Sequence, residues 1–374
     1  MKKILILANN DIGLYNFRKE LPQRLLRLGY DVTIALPYGE KVEKFKDMGC
    51  NFIETPMNRR GMNVIQDLKL LIQYIKIIKK IKPDLVLTYT IKPNIYGGIA
   101  CRSLNQKVIH TVTGLGSVFI RDLWIKKILI KLNKFSFKNA CHVFFLNKEN
   151  QDFYENIKII ANQQQISVVP GSGVNLKEFQ FNEYPNNEKI KFTFIARVIK
   201  DKGIEEFLES AKNIKEKYPN VEFDVVGAID EDIYLNKLKE YEKLKVINYL
   251  GHRSDIQEIM KKSSCIVLPS YGEGRGTVLQ EGAAIGRPLI TCDTYGCKDN
   301  VDDGYNGYLC KVKDYKSLQN SMEKFINISI EEKKEMGLNS RTKAEKEFDR
   351  DIVIKSYIDK INQITQMLWI ERGL

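Results

Sequence analysis

Ile266-Val-Leu-Pro-Ser-Tyr-Gly-Glu-Gly-Arg-Gly-Thr-Val-Leu-Gln-Glu-Gly-Ala-Ala-Ile-Gly-Arg-Pro-Leu-Ile-Thr291 is the stretch whose reading decides the fold. Its apolar start, Ile266 to Leu268, reads as a buried strand. Gly272, Gly274 and Gly276 then make a turn, and small or helix-tolerant residues run from Thr277 to Ile285. Pro288 to Thr291 opens another strand, so the unit is strand, loop, helix, strand. Glycines at a helix N-terminus leave backbone N–H groups and the positive end of the helix dipole available to a phosphate. Glu273 lies in the loop and Glu281 about one turn into the helix, so both border one crevice. A phosphate seat beside hydroxyl-binding carboxylates suits a nucleotide-sugar. The same pattern also occurs as an ordinary turn of a doubly wound sheet, with its glutamates solvated.

Outward from this unit the chain repeats the theme. Toward the N-terminus, apolar runs at Lys3–Ala8, Tyr30–Leu36, Asn51–Glu54, Pro83–Tyr89, Val108–Val112 and Cys141–Leu146 alternate with helical patterns at Arg18–Leu28, Glu43–Gly49 and Asn63–Lys80. In Asn63–Lys80 the apolar residues Ile65, Leu68, Leu71, Ile72, Ile75 and Ile78 recur at helical spacing. Such alternation argues for parallel sheets wrapped by helices, an α/β architecture. With 374 residues the chain is long enough for two domains. The boundaries read as 1–181 for the first Rossmann-like domain, a polar linker at 182–190 with Pro185, Asn186 and Asn187, a second Rossmann-like domain at 191–351, and a final amphipathic helix within 352–374.

The order Gly-Glu-Gly-x-Gly-x-x-x-x-Glu-Gly-Ala-Ala-x-Gly-x-Pro at 272–288 resembles the E-x7-E signature of family 4 glycosyltransferases with the GT-B fold. Further matches are Arg197 and Lys202 ahead of Gly203, and the strand closing on Pro170-Gly-x-Gly-Val-Asn175, which resembles the end of that family's first domain. The resemblance covers nearly the whole chain. It implies two Rossmann-like domains facing across a cleft, with the C-terminal helix returning to the first. It also implies transfer of a sugar from a nucleotide diphosphate to an acceptor hydroxyl with retention of anomeric configuration and without a metal.

By the same resemblance, Arg197 and Lys202 contact the donor diphosphate and Glu273 holds the donor sugar. Gly274, Arg275, Gly276 and Thr277 approach the phosphates, Glu281 accepts from the ribose, and the Gly251-His252-Arg253 loop approaches the base. Gly203 opens the helix behind the two cations. In the first domain, Gly13 between strand and helix marks a close backbone approach to donor phosphate or acceptor. A strand ending in a glycine turn makes Thr113, Gly114, Leu115, Gly116 and Ser117 candidates to line the cleft, because ligands of open α/β sheets lie beyond the carboxyl ends of strands. Many family members carry a His near this point. Here His110 stands earlier in the strand and Thr113 takes the usual slot, so His110 is either a cleft residue or an internally bonded strand histidine.

Composition narrows the partners. Residues 1–175 carry 27 Lys and Arg against 13 Asp and Glu, and the remainder 32 against 34, so the net charge of +12 resides in the first half. That half should seek an anionic partner. No helix-turn-helix, zinc-finger or aromatic stacking motif speaks for nucleic acid. Arg121–Asn139 sets Ile125, Ile128, Leu129 and Leu132 on one helical face and Lys127, Lys131, Lys134 and Lys138 on another, with Trp124 near its start. This is the pattern of a helix lying in the headgroup layer of an anionic bilayer, although an ordinary surface helix also shows it.

The apolar segment after Met1 is only five residues long and no run reaches about 18, so neither a signal peptide nor a membrane span is read. A cytoplasmic protein, peripheral on the inner face of the cell membrane, is expected. The seven cysteines show no C-x-x-C pair and read as reduced core thiols. Asp230-Glu231-Asp232 matches the D-x-D of metal-dependent transferases but lacks a further ligand at suitable spacing, so a solvated turn and no metal are expected. The expected donor is a UDP-sugar, N-acetylhexosamine favoured, with no separate cofactor; the expected acceptor is a polyprenyl-diphosphate-linked saccharide of surface-glycan assembly. A UDP-N-acetylglucosamine 2-epimerase-like enzyme and an inactive glycan- or lipid-binding homologue remain as alternatives.

Overall fold

The structure is a computed structural model that describes residues 1–58, 63–114, 123–160, 166–186 and 189–371, with the side chains of 123–125 and 368–371 left out. Two units divide the chain: Met1–Ser172 with Ile352–Leu374, and Gly173–Asp351.

In the first unit the strands are β1 (Lys3–Leu7), β2 (Asp31–Leu36), β3 (Asn51–Glu54), β4 (Leu85–Tyr89), β5 (Val108–Val112), β6 (His142–Phe145) and β7 (Ile166–Val168). They form one parallel sheet in the order β3-β2-β1-β4-β5-β6-β7. Its helices are α1 (Asp11–Arg18), α2 (Glu20–Arg27), α3 (Val42–Asp47), α4 (Val64–Ile81), α5 (Gly98–Ser103), α6 (Leu123–Phe137) and α7 (Lys148–Asn156). Strands buried on both faces carry unbroken apolar runs because helices cover the sheet on either side. Ile4, Leu5, Ile6 and Leu7 of β1 are all inaccessible to solvent. Chain order reverses between β1 and β4, which sets a ligand-binding switch point at their carboxyl ends.

The second unit repeats the plan with β8 (Lys191–Ile195), β9 (Glu222–Val226), β10 (Asn248–Gly251), β11 (Cys265–Leu268), β12 (Leu289–Cys292) and β13 (Gly307–Cys310). Their parallel order is β10-β9-β8-β11-β12-β13, with the reversal between β8 and β11. Around it lie α8 (Ile204–Lys217), α9 (Ile233–Lys243), α10 (Ile256–Lys262), α11 (Thr277–Ile285), α12 (Tyr315–Asn327) and α13 (Ile330–Lys343). Phe192, Phe207, Phe223 and Phe325 interlock edge-to-face or stacked in its core. The last helix, α14 (Arg350–Glu371), packs Val353, Tyr357, Ile358 and Ile361 into the core of the first unit. There Tyr357 stacks on Phe144 at 4.0 Å and bonds Thr111 through its hydroxyl.

Three expectations need correction. The helix expected over Arg18–Leu28 is α2 (Glu20–Arg27), but a further helix, α1 (Asp11–Arg18), precedes it, because the Asn10 side chain accepts from the Gly13 N–H and caps it. The unit boundary falls at Ser172/Gly173 rather than at 181. Val174 pairs with Asp349, its N–H donating to the Phe348 carbonyl, so the segment after Gly173 belongs to the second unit. Of the polar stretch expected as a linker, 182–190, Asn182 and Glu183 are likewise held in that unit. Arg287, wholly buried, donates to the carbonyls of Glu183, Met260 and Gly286, and Asn182 donates from its backbone to Ile285. A buried guanidinium serving so many carbonyls holds Asn182 and Glu183 against the sheet.

Arg287→Met keeps the apolar stem and leaves those carbonyls unserved, so the second unit should lose roughly 3–5 kcal/mol of stability. Urea denaturation followed by tryptophan-independent far-UV circular dichroism measures this, and an unchanged midpoint would contradict the role given to Arg287.

Candidate functional site

At the second unit's switch point two loops are drawn together by backbone chemistry. Gly203, after β8, has φ of +76°, and a Cβ there would stand 2.0 Å from the Pro269 carbonyl oxygen after β11. Only glycine supplies both the left-handed conformation and the missing methyl. The Tyr271 N–H donates to the Asp201 carbonyl at 2.9 Å and the Ser270 hydroxyl to the same oxygen at 3.1 Å. This zipper sets Lys202 beside Glu273, and the two form a largely buried ion pair. The two sequence candidates thus meet, although they are 71 positions apart.

The Glu273 loop is fixed from its other side by the segment after β12. Its N–H donates to the Tyr295 carbonyl at 3.1 Å, and the buried Asn300 amide donates to the carbonyls of Arg275, Gly296 and Cys297. Gly276, at φ +58°, precedes α11, which has no side-chain cap and no acidic residue in its first turn. Its N-terminal amides and dipole therefore point positive charge at the loop holding Glu273. Glu281 projects from the same helix, where burial pushes its carboxyl up to about 7; the Arg350 guanidinium draws it down and Glu178 pushes it further up.

Other candidates stand apart. Arg197 does not share a partner with Lys202: its guanidinium pairs with Asp230 at 2.6 Å, because the Val198 N–H donates to the Ala228 carbonyl and brings the two loops alongside. Asp230 of the acidic Asp-Glu-Asp turn is thereby an arginine partner. Among the described residues no group of three or more His, Cys, Asp or Glu could hold a metal ion. Arg275 bonds Asp299 at 2.7 Å, and Arg253 pairs with Asp255 in its own exposed loop. Thr277 is the first residue of α11 and Gly274 lies in the loop before it.

In the first unit a pocket of about 270 Å³ opens at the carboxyl ends of β1, β4 and β5, lined by Asn9, Met57, Thr90, Lys92, Thr113 and Gly114. Thr113 and Gly114 thus fall where ligands of such sheets lie. Gly116 and Ser117 lie outside the described residues, as do Leu115 and the Trp124 side chain. Two candidates are taken up by the fold itself. Gly13 is the third residue of α1, its N–H taken by Asn10. His110 is wholly buried, bonded to the Thr88 hydroxyl at 2.7 Å and stacked on Phe137; burial draws its imidazole down to about 3. A neutral, enclosed ring of this kind serves the core.

The sequence reading missed several residues here. Lys92 pairs with the buried Asp67 at 2.7 Å, and Thr90 sits at φ +72°, strained for a β-branched residue. Asn300 and Tyr295 carry no local signal, since their roles arise from tertiary contact. On α6, Lys127, Lys131 and Lys134 are exposed, but the apolar face is split: Leu129 turns inward against Ile95 while Ile128 stays in solvent.

A carboxyl whose affinity for protons rises on folding stabilises the folded state below its unfolded pKa and loses that contribution as pH climbs through about 7. Wild-type stability should therefore fall by something on the order of 2 kcal/mol between pH 5 and pH 8 relative to Glu281→Gln. Denaturation of both proteins at the two pH values measures it; parallel pH profiles would remove the charge from this site.

The chain matches two protein-family models, Glycosyl transferase 4-like over residues 3–147 and Glycosyl transferases group 1 over 176–343. It is 29% identical to an N,N'-diacetylbacillosaminyl-diphospho-undecaprenol alpha-1,3-N-acetylgalactosaminyltransferase of Campylobacter jejuni, across 97% of this chain and 99% of that one. It is 28% identical to a UDP-Gal:alpha-D-GlcNAc-diphosphoundecaprenol alpha-1,3-galactosyltransferase of Escherichia coli, across 90% and 88%. Among solved structures, HepE of Anabaena, in complex with UDP and glucose, superposes with a TM-score of 0.78 at 16% identity, covering 97% of this chain and all of that one, a likeness of fold. Two doubly wound parallel sheets, the E-x7-E helix and these matches place the chain among the family 4 glycosyltransferases of GT-B fold.

Proposed function

We propose that this glycosyltransferase moves an N-acetylhexosamine from a UDP-sugar to a hydroxyl of a polyprenyl-diphosphate-linked saccharide, with the anomeric configuration retained. The observation that carries the reading is the Lys202–Glu273 pair beside the uncapped N-terminus of α11. Both charges that a glycosyl transfer creates find a partner there. The names of the Campylobacter and E. coli relatives, each acting on an undecaprenyl-diphosphate-linked sugar, support the acceptor class.

In this reading the bond between the anomeric carbon and the diphosphate oxygen breaks, leaving both electrons on oxygen. Lys202 and the amides of Gly274 to Thr277 stabilise that oxygen by charge fixed before the reaction begins. Arg197 exchanges Asp230 for the diphosphate. Glu273 accepts from the donor sugar's hydroxyls and favours the positive charge that develops on the ring. Glu281, as carboxylate, accepts from the ribose. The acceptor hydroxyl attacks on the face the diphosphate leaves, and its proton passes to a departing phosphate oxygen. No side-chain base is required, and no divalent cation or other cofactor is invoked. The products are the new glycoside and UDP.

The acceptor would enter through the first unit, whose pocket is lined by Thr113 and Gly114. The exposed lysines of α6 would hold that unit to an anionic bilayer at its cytoplasmic face. No helix among the described residues is long and apolar enough to cross a membrane. An epimerase reading draws no support from His110 and His142, which are buried strand residues.

Lys202→Ala should lower kcat about 10²- to 10³-fold on UDP-N-acetylhexosamine and a short polyprenyl-diphosphate saccharide, in a protein that still unfolds cooperatively. Radiolabel transfer measures this, and near-wild-type turnover by the variant would overturn the assignment.

A further inference from the structure

The spacing of Ile65, Leu68 and Ile72 is that of a helix face packed on its sheet, yet the structure turns this face outward. Ile65 is 68% exposed, Leu68 55% and Ile72 45%, with Val64 at 80%. A second stripe on α4, made by Leu70, Tyr74, Ile77 and Ile78, packs on β1 and β4 residues and on α5 instead. At 100° per residue the outward arc from Leu68 runs on through Lys79, Ile72, Ile65, Lys76, Lys69 and Lys80, with Val64 at its edge beside the half-buried Ile75. It holds no acidic side chain. Along the axis it is graded: Val64, Ile65, Leu68 and Ile72 lie in the first half with Lys69 alone among them, and Lys76, Lys79 and Lys80 gather toward the end.

Four contiguous exposed aliphatic side chains on one helix mark an interaction surface. Their setting selects the partner. α4 and α6 both pack against α5 and the turn at Pro93–Gly97, so they share one layer of the first unit. The second helix presents Lys127, Lys131 and Lys134, with Ile128 and Phe135 exposed among them. The Arg102 guanidinium lies 3.8 Å over the Phe135 ring. An apolar ridge edged by lysines, beside a second basic helix with exposed apolar side chains, matches the headgroup and upper acyl region of an anionic bilayer. Aliphatic side chains enter the acyl boundary, and lysine stems lie along it with their ammonium groups at the phosphates.

We infer that the Val64–Ile72 ridge of α4 is a bilayer-inserting wedge for anionic phospholipid, with the lysines of α4 and α6 as its electrostatic rim. The inference builds on the peripheral membrane location proposed above and adds the element that penetrates. The same helix borders a groove lined by Met57, Asn58, Gln66 and Lys69, and Met57 also lines the pocket holding Thr113 and Gly114. A saccharide on a lipid anchor would thus leave the bilayer beside the place proposed to receive it.

The test is flotation of the full chain with phosphatidylglycerol vesicles, compared with phosphatidylcholine vesicles, in low and high salt. Wild type should bind the anionic vesicles, and salt should weaken that binding without abolishing it. Ile65→Ser/Leu68→Ser should weaken it about ten- to a hundredfold, while transfer to a water-soluble saccharide acceptor stays unchanged. Because both residues are exposed, the thermal unfolding of this variant should match wild type. If the double variant floats like wild type while a Lys127→Glu/Lys131→Glu variant does not, the wedge is refuted and the basic helix alone holds the membrane. Should wild type float with neither vesicle, the membrane location falls too, and transfer to the soluble acceptor still reports on the enzyme reading. A lipid-free dimer that the Ile65→Ser/Leu68→Ser variant splits would give this face to a second copy of the chain and overturn the proposal.

Discussion

Gly203 and the Pro269 carbonyl occupy a space too small for one methyl group, and the second unit's chemistry hangs on that closeness. A parallel sheet places the ends of β8 and β11 side by side, but a side chain at 203 would hold their loops apart. With glycine there, Tyr271 and Ser270 both reach the Asp201 carbonyl, and Lys202 arrives at Glu273. The ion pair is thus a consequence of backbone packing. Its members are separated by three strands in sequence, β9, β10 and β11, and neither would find the other from an unstructured loop.

Such a pair carries opposite signs into a partly desolvated place, which is what heterolysis of an anomeric bond needs. A lysine alone would favour the leaving diphosphate, and a glutamate alone the ring that loses electrons. Held together before any ligand arrives, each also restrains the other's rotamer, so little reorganisation remains for the reaction itself. The start of α11, with no acidic residue in its first turn, adds partial positive charge. Arg197, half-exposed and paired with Asp230, belongs to a more mobile class of contact, since an exposed ion pair is weakly held in water.

Much of this was legible in residue order. Apolar runs of strand length alternating with helical patterns gave two doubly wound sheets, because burial on both faces forces such runs. Glu273, Lys202 and Gly203 were legible because glycine turns at strand ends have few other uses. What failed to show was non-local or ambiguous by symmetry. Arg287 looks like a surface arginine until its carbonyl partners from residues 183, 260 and 286 are assembled around it. His110 could not be located by its neighbours in sequence, since a parallel strand buries alternate and adjacent residues alike. α4 carries two apolar stripes of equal period, and periodicity does not say which one meets the sheet.

The same ambiguity explains the uneven charge. In the second unit the cations of the site loops have carboxylate partners: Arg197 with Asp230, Lys202 with Glu273, Arg253 with Asp255, Arg275 with Asp299. Near-neutrality of that unit fits the proposed donor site, which needs positive charge only locally, fixed in place. The first half carries its surplus on outward helix faces, where fixed geometry is unnecessary and a broad field suffices. A surplus of that kind does not distinguish one phosphate from another. It suits a surface of many phosphates, and the aliphatic ridge of α4 gives such a surface what charge alone cannot, a depth at which the protein rests.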